Sequence, residues 1–238
     1  MNAARARPRP TGLRVVSLVP SVTESLRAWG VEPVACTRFC EQPDLPTIGG
    51  TKNPDVEAIA ALDPDLVVVD VQENRREDHE SLVAAGLDVH VLDVTSVAGA
   101  VAQVAALAAR VGTEWSVDVA AIEPDRRRRA FVPIWRRPWM TIGGATYGSD
   151  VLAHVGVDNV YGEDDLYPTV QLEEASRRRP DLVLVPSEPY EFRAAHLAEL
   201  AELAPVLRVD GRDLFWWGVR TPEAVSRLAA AVAASTVR

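Results

Sequence analysis

Two stretches of the chain repeat, and the repeat narrows the choice of fold more than any other feature. Val56-Glu57-Ala58-Ile59 runs into Pro64-Asp65-Leu66-Val67-Val68-Val69, and Leu172-Glu173-Glu174-Ala175 runs into Pro180-Asp181-Leu182-Val183-Leu184-Val185. The two Pro-Asp-Leu-Val units lie 116 positions apart. Upstream of each, Trp29-Gly30-Val31-Glu32-Pro33-Val34 echoes Val155-Gly156-Val157-Asp158-Asn159-Val160 at an offset of 126. The offsets differ by ten, so the first half carries an insertion, which fits the loop around Phe39-Cys40-Glu41-Gln42-Pro43. Matches in the same order point to two similar lobes built from one supersecondary block.

Each lobe reads as α/β. Apolar runs at 14–19, 34–37, 66–71, 89–92, 130–135, 182–186 and 206–209 are rich in Val and Leu and continuous rather than alternating. Strands buried on both faces of a parallel sheet have that pattern. Helical stretches lie between them. Ser21 with Glu24 three residues on reads as a capping box, and Gly30 stops that helix. Asn53-Pro54-Asp55 opens a second helix, and Gly86 ends a third over 73–85. Residues 96–122 are Ala/Val-rich without proline, which suggests one long, stiff connecting helix. The expected division is therefore a disordered tail at 1–12, lobe one at 13–95, a connecting helix region at 96–127 and lobe two at 128–238. The basic run Arg126 to Arg129 reads as a solvated helix end.

Composition removes several classes of function. The 238 residues carry a net charge of −9, which repels phosphate backbones and anionic lipid. Cys36 and Cys40 are the only cysteines, and a bridge between them would close a tiny loop, so both read as reduced thiols. No apolar stretch of signal-peptide or membrane-span length follows the basic start, so the chain as written reads as cytoplasmic, or as exported if a leader was removed. Phosphate-loop, dinucleotide and nucleophile-elbow motifs are absent. The four histidines, at 79, 90, 154 and 196, form no H-x-x-x-H pair. No catalytic residue, metal ligand or intrinsic cofactor is expected.

Ligands of parallel α/β sheets sit beyond the carboxyl ends of the strands, and two lobes can face each other across a cleft. In lobe one that position selects Pro20, Ser21, Phe39, Gly50, Thr51, Lys52, Asn53 and Asn74. In lobe two it selects Trp135, Trp139, Tyr147, Tyr167, Tyr190, Trp216, Trp217 and Arg220. Four of the six tryptophans fall in this second group, which suits a flat or apolar ligand. Arg220, just before Thr221-Pro222, adds charge at a helix start that would attract an acidic group.

Arg14-Val15-Val16-Ser17-Leu18-Val19-Pro20-Ser21-Val22-Thr23-Glu24 resembles the opening of substrate-binding proteins of vitamin B12 and ferric-siderophore ABC importers. Phe39-Cys40-Glu41-Gln42-Pro43, Ile48-Gly49-Gly50-Thr51-Lys52-Asn53-Pro54 and the Pro-Asp-Leu-Val units resemble later blocks of that family, so the similarity covers nearly the whole chain. The segments around Trp135–Trp139 and Trp217–Pro222 resemble a subgroup without a visible signal peptide. The resemblance implies two α/β lobes bridged by one rigid helix and non-catalytic binding of a metal chelate in the cleft. The chelate would be cobalamin, a ferric siderophore or a haem-like group. It also implies docking on an ABC permease through acidic residues at the lobe tips, here Glu77, Glu80 and Glu191. The alternatives are a cytosolic enzyme or chaperone of tetrapyrrole or cofactor metabolism on the same fold, and a direct metal-ion receptor.

Overall fold

The computed structural model describes residues 12–122 and 126–235, so the expected N-terminal tail falls almost wholly outside the described residues. The chain divides into two compact units, Met1–Val91 and Leu92–Arg238.

Unit one runs β1 (Val15–Ser17), α1 (Pro20–Ala28), β2 (Ala35–Cys36), a 3₁₀ turn (Arg38–Cys40), β3 (Gly49–Gly50), β4 (Asn53–Pro54), α2 (Val56–Ala61), β5 (Leu66–Asp70), α3 (Arg76–Ala84) and β6 (Val89–Leu92), whose last residue belongs to unit two. Its main sheet has the order β2-β1-β5-β6, with β1 parallel to both β2 and β5. Val16, Leu18, Ala35, Ile59, Val67, Val69 and Leu82 form the core. All five residues of β5 are buried, which is why this segment lacks alternation.

Unit two contains α4 (Val97–Arg110), β7 (Arg128–Phe131), β8 (Pro133–Trp135), β9 (Trp139–Thr141), α5 (Tyr147–His154), β10 (Val157–Asn159), β11 (Thr169–Val170), α6 (Leu172–Arg177), β12 (Leu182–Pro186), α7 (Ala194–Ala201), β13 (Val206–Val209), α8 (Gly211–Phe215) and α9 (Thr221–Ala234). Its parallel sheet has the order β10-β7-β12-β13. A three-stranded antiparallel sheet, β11-β9-β8, is additional to that frame.

The repeated segments occupy equivalent places. β5 lies between β1 and β6, and β12 lies between β7 and β13. The aspartate of each Pro-Asp-Leu-Val unit does the same work. Asp65 accepts the Arg14 N–H at 2.8 Å, and Asp181 accepts the Arg129 N–H at 2.8 Å. Each carboxylate thus fixes the amino end of a neighbouring strand. The residue before each proline, Asp63 or Arg179, has a positive φ, of 48° and 52°. Gly30 and Gly156 end their helices at φ of 75° and 71°, a conformation that favours glycine.

Several local expectations change. Pro20 occupies the first turn of α1, whose N-cap is Val19, so Ser21 lies inside the helix and no capping box forms. Asn53 and Pro54 pair with the two glycines as a hairpin, and Asp55 caps α2 by accepting the Ala58 N–H at 3.0 Å. The connecting helix is shorter than the composition suggests. Gly112 turns at φ 78°, the Thr113 N–H returns to the Ala108 carbonyl at 2.9 Å, and 113–122 contain no regular structure. Arg128 and Arg129 are on a strand rather than a helix end; Arg128 reaches the Ser235 carbonyl at 2.8 Å, and Arg127 pairs with Asp158. The run 130–135 is two strands. β8 leaves the parallel sheet after Val132 and pairs with β9, which moves Trp135 onto the antiparallel layer.

Candidate functional site

In unit two the loops after β8 and β12 bring together an aromatic cluster. Trp135 meets the edge of Tyr190 at 5.1 Å between ring centroids, and Tyr190 lies 4.8 Å from Phe192. Phe192 stacks on Trp139 at 5.9 Å with the ring planes 5° apart. Such pairs contribute about 0.5–1.5 kcal/mol beyond their burial, so the four rings hold one another in place. Trp135 keeps 44% of its surface exposed, while Phe192 is buried beneath the group.

Cations flank the rings. The Arg136 guanidinium sits 5.3 Å from the Trp139 centroid and bonds Glu199 at 2.8 Å. His196 lies 5.8 Å from Tyr190. Arg136, Arg137, Arg193 and His196 line a concavity of about 380 Å³ together with Tyr190 and Glu191. With Arg136 paired to Glu199, three guanidinium groups against the carboxylates of Glu191 and Glu199 still leave this wall with an excess of positive charge on a chain of net charge −9. The arrangement suits an apolar ring face with an acidic substituent.

A second cation–aromatic group forms around α8. The guanidinium groups of Arg212 and Arg220 lie 5.2 and 5.3 Å from the Trp216 ring. Arg220 is tied to the buried Asp213 carboxylate at 3.2 Å, and Arg227 binds the same carboxylate at 2.6 Å. The arginine at the start of α9 is thus held in an ion pair within its own unit. Trp217 is buried at 5% exposure. Tyr147 is equally buried, its hydroxyl is 3.0 Å from the Thr221 hydroxyl, and burial pushes its phenol up to about 12. These two residues pack the unit; Trp216 remains half-buried beside its arginines. Tyr167 is 41% exposed ahead of β11, apart from the aromatic cluster in the sequence.

Unit one builds its loops differently. Asn74 is buried; its amide donates to the Thr51 carbonyl at 2.7 Å and accepts the Asp70 N–H at 2.8 Å. Asp70 in turn accepts the Gln72 N–H at 2.9 Å. The polar atoms of Asn74 therefore clamp the loop after β5 to the β3–β4 hairpin. Two glycines make that hairpin possible. A Cβ on Gly49 would meet the Asn53 carbonyl at 2.5 Å, and one on Gly50 would meet the Asn53 side chain at 2.7 Å and Arg38 at 3.1 Å. Pro20, Ser21 and Thr51 are buried. Of the expected site residues of this unit, Phe39, at 49% exposure, Lys52 and Asn53 are exposed, with the Arg38 guanidinium 4.8 Å from the Phe39 ring.

The acidic residues expected at the lobe tips are all exposed. Glu80 pairs with Arg76 at 2.8 Å on α3, Glu77 lies in the first turn of the same helix, and Glu191 lines the arginine-rich concavity. Sequence reasoning missed Arg136, Arg137, Phe192, Arg193 and His196. Their signal was the density of cations and rings in Trp135-Arg136-Arg137-Pro138-Trp139 and Tyr190-Glu191-Phe192-Arg193. Among the described residues, no group of three or more His, Cys, Asp or Glu side chains is placed to hold a metal ion, and no helix is long and apolar enough to cross a membrane.

The family model described as periplasmic binding protein matches residues 15–204. The vitamin B12-binding protein of Salmonella choleraesuis is 25% identical over 197 residues, covering 75% of this chain and 74% of the relative. That of Pectobacterium carotovorum is 23% identical over 232 residues, covering 88% and 83%. The solved periplasmic vitamin B12 binding protein BtuF of Vibrio cholerae superposes with a TM-score of 0.75 at 18% identity, covering 93% of this chain and 97% of that one. A periplasmic heme binding protein from Pseudomonas aeruginosa does so with a TM-score of 0.77 at 20% identity, covering 94% of each chain. At these identities the solved structures establish the shared fold.

Proposed function

The chain belongs to the periplasmic binding protein family, and from that premise we propose that it is the substrate-binding protein of an ABC importer, taking up a metal chelate of the corrinoid, ferric-siderophore or haem kind without chemical change. The observation that carries this reading is the group of Trp135, Trp139, Tyr190 and Phe192 beside Arg136, Arg137 and Arg193. Rings of that kind cover an apolar macrocycle, and the guanidinium groups receive its acidic arms. The curated relatives named for vitamin B12 and the structural neighbours named for B12 and heme support the same class of ligand.

The finer assignments belong to the same proposal. Trp139, Tyr190 and Trp216 are the unit-two contacts, with Trp135 at the rim. Phe39, Lys52 and Asn53 are those of unit one. Tyr147, Trp217, Asn74, Thr51, Pro20, Ser21 and Gly50 shape the loops that carry them. Arg220 steadies Trp216. Glu77, Glu80 and Glu191 are the acidic contacts for a permease. Export to the compartment for which the family is named fits these relatives better than the cytoplasmic reading, which finds no support among them.

The test is a titration of tryptophan emission with haemin and, separately, cyanocobalamin. The reading requires saturable quenching at one ligand per chain and recovery of the ligand unaltered. Emission indifferent to both chelates and to a ferric siderophore, or conversion of the ligand, overturns it.

A further inference from the structure

The arginines of the unit-two concavity are not alike. Arg136 is already occupied: its guanidinium bonds Glu199 at 2.8 Å and lies 5.3 Å from the Trp139 centroid, with 20% of its side chain exposed. Arg137 and Arg193 are exposed on the same wall, and among the described residues neither has an ion pair. Glu191, the acidic residue that lines the concavity, is exposed as well and bridges to neither of them. Arg137 also has a φ of 72°, a left-handed backbone that is costly for a residue with a Cβ. Glycine or asparagine would suit that turn better, so the guanidinium rather than the backbone accounts for this residue. His196 adds a donor. Its Nδ1 accepts the Arg193 N–H at 3.2 Å, which leaves the ring proton on Nε2.

We propose that this concavity reads the charge of a chelate's arms: Arg137 and Arg193 each receive one free carboxylate, so the site takes a dicarboxylate tetrapyrrole of the haem kind in preference to a corrinoid. The proposal rests on the chelate-binding reading above and decides between ligands which that reading leaves open. A corrinoid carries its peripheral arms as amides, which need donors and acceptors but no cation. Amides would leave both guanidinium groups without a counter-charge, whereas carboxylates form charge-assisted, paired hydrogen bonds with them. The Nε2–H of His196 suits a carboxylate oxygen too, and it is a donor where ligation of iron would need a lone pair.

Size agrees with this division of labour. At about 380 Å³ the concavity is at the small end of ligand pockets, with room for the arms of a macrocycle and not for its whole disc. The disc has the neighbouring rings to lie on, since Trp135 is 44% exposed where it meets the edge of Tyr190. Arms and disc are thus met by different side chains, and the arms by groups exposed enough for salt to screen them. At 25% and 23% identity, the relatives named for vitamin B12 leave room for different arm contacts.

The test is quenching of tryptophan emission in the full chain by haemin, by the diamide of haemin and by cyanocobalamin, at low and at high salt. Haemin is expected to bind about tenfold tighter than its diamide at low salt, with the gap closing at high salt. Haemin and its diamide share iron and macrocycle, so only the charge of the arms separates them. Arg137→Gln and Arg193→Gln should each weaken haemin about threefold and leave the diamide unmoved, and Glu191→Gln should strengthen haemin by about as much. His196→Gln keeps a donor and should leave the Soret band of bound haemin in place; a moved band makes His196 an iron ligand and overturns its part. Equal affinity for haemin and the diamide at low salt, or cyanocobalamin bound tighter than haemin, overturns the inference and leaves the chelate reading standing. So does a chain that binds a ferric siderophore and none of the three. Indifference to all four overturns both.

Discussion

In unit one the loops beyond the sheet are held by polar atoms turned onto the backbone, as Asn74 is on Thr51; in unit two they are held by rings and guanidinium groups packed on one another. The frames beneath are alike, with the same four-strand order and the same aspartate bond. All four tyrosines lie in unit two. A directional hydrogen bond fixes a loop with little side-chain bulk and leaves few apolar faces to offer. Stacked rings fix a loop and at the same time provide a surface for a flat partner. The duplicated frame thus tolerates two ways of ordering a loop, of which one doubles as a binding surface.

The largest effect expected from breaking this contrast is at Asp213. Asp213→Ala strands Arg220 and Arg227 beside a buried gap and should cost about 3 kcal/mol in urea denaturation. A change below about 1 kcal/mol would mean the arginines are adequately solvated without it. Asn74→Ala leaves the Asp70 N–H and Thr51 carbonyl without their partner, an expected loss of about 2 kcal/mol. Hydrogen exchange should rise in the 49–53 hairpin and remain unchanged around α7. Loss of protection in both places would show that the loops of the two units are not independently held.

For ligand contacts the contrast reverses. Tyr190→Ala should weaken haemin or cyanocobalamin by about 1–2 kcal/mol, because it removes the ring central to the cluster. Unchanged affinity with a lowered melting temperature would reduce the cluster to packing. A difference confined to alkaline pH follows from the tyrosines. Burial raises Tyr147 and Tyr161 from 10.0 to about 12. The folded state therefore retains protons that the unfolded chain has lost, so their contribution is intact below pH 10 and falls as pH rises towards 12. Phenolate absorbance should show Tyr147 and Tyr161 ionising late, and Tyr161→Phe should remove one of those late steps. Ionisation of both near 10 would contradict that burial. The smallest effect is at Arg193, where alanine should weaken an anionic chelate at low salt and hardly at all at high salt.

The frame was legible because its signals are local and repeated. Runs at 182–186 and 206–209 match β12 and β13 residue for residue, and the Pro-Asp-Leu-Val pair identifies the equivalent strands. Departures arise where tertiary contacts outweigh composition. An unbroken apolar run hid the change of sheet at Val132, since strands of either layer bury the same residue types. Ser21 carried the side chain of a cap, but Pro20 had already begun the helix. Loop position picked out Trp139 and Tyr190 but could not separate half-buried Trp216 from buried Trp217, because adjacent residues after a short helix point different ways. Phe192 joins the cluster by stacking on Trp139 from a different element, and no spacing along the chain encodes that contact.

The aspartate joint also bears on how such a chain changes over time. Asp65 and Asp181 act at the amino ends of the strands they fix, opposite the edge where the loops differ. Register is therefore decided at one end while novelty accumulates at the other. Ten extra positions separate Gly30 from Pro64 compared with Gly156 and Pro180, yet Val15 still faces Leu66 and Ala130 still faces Leu182. A fold with its alignment marks on the quiet side can accept insertions or new rings on the other without being relearned as a fold.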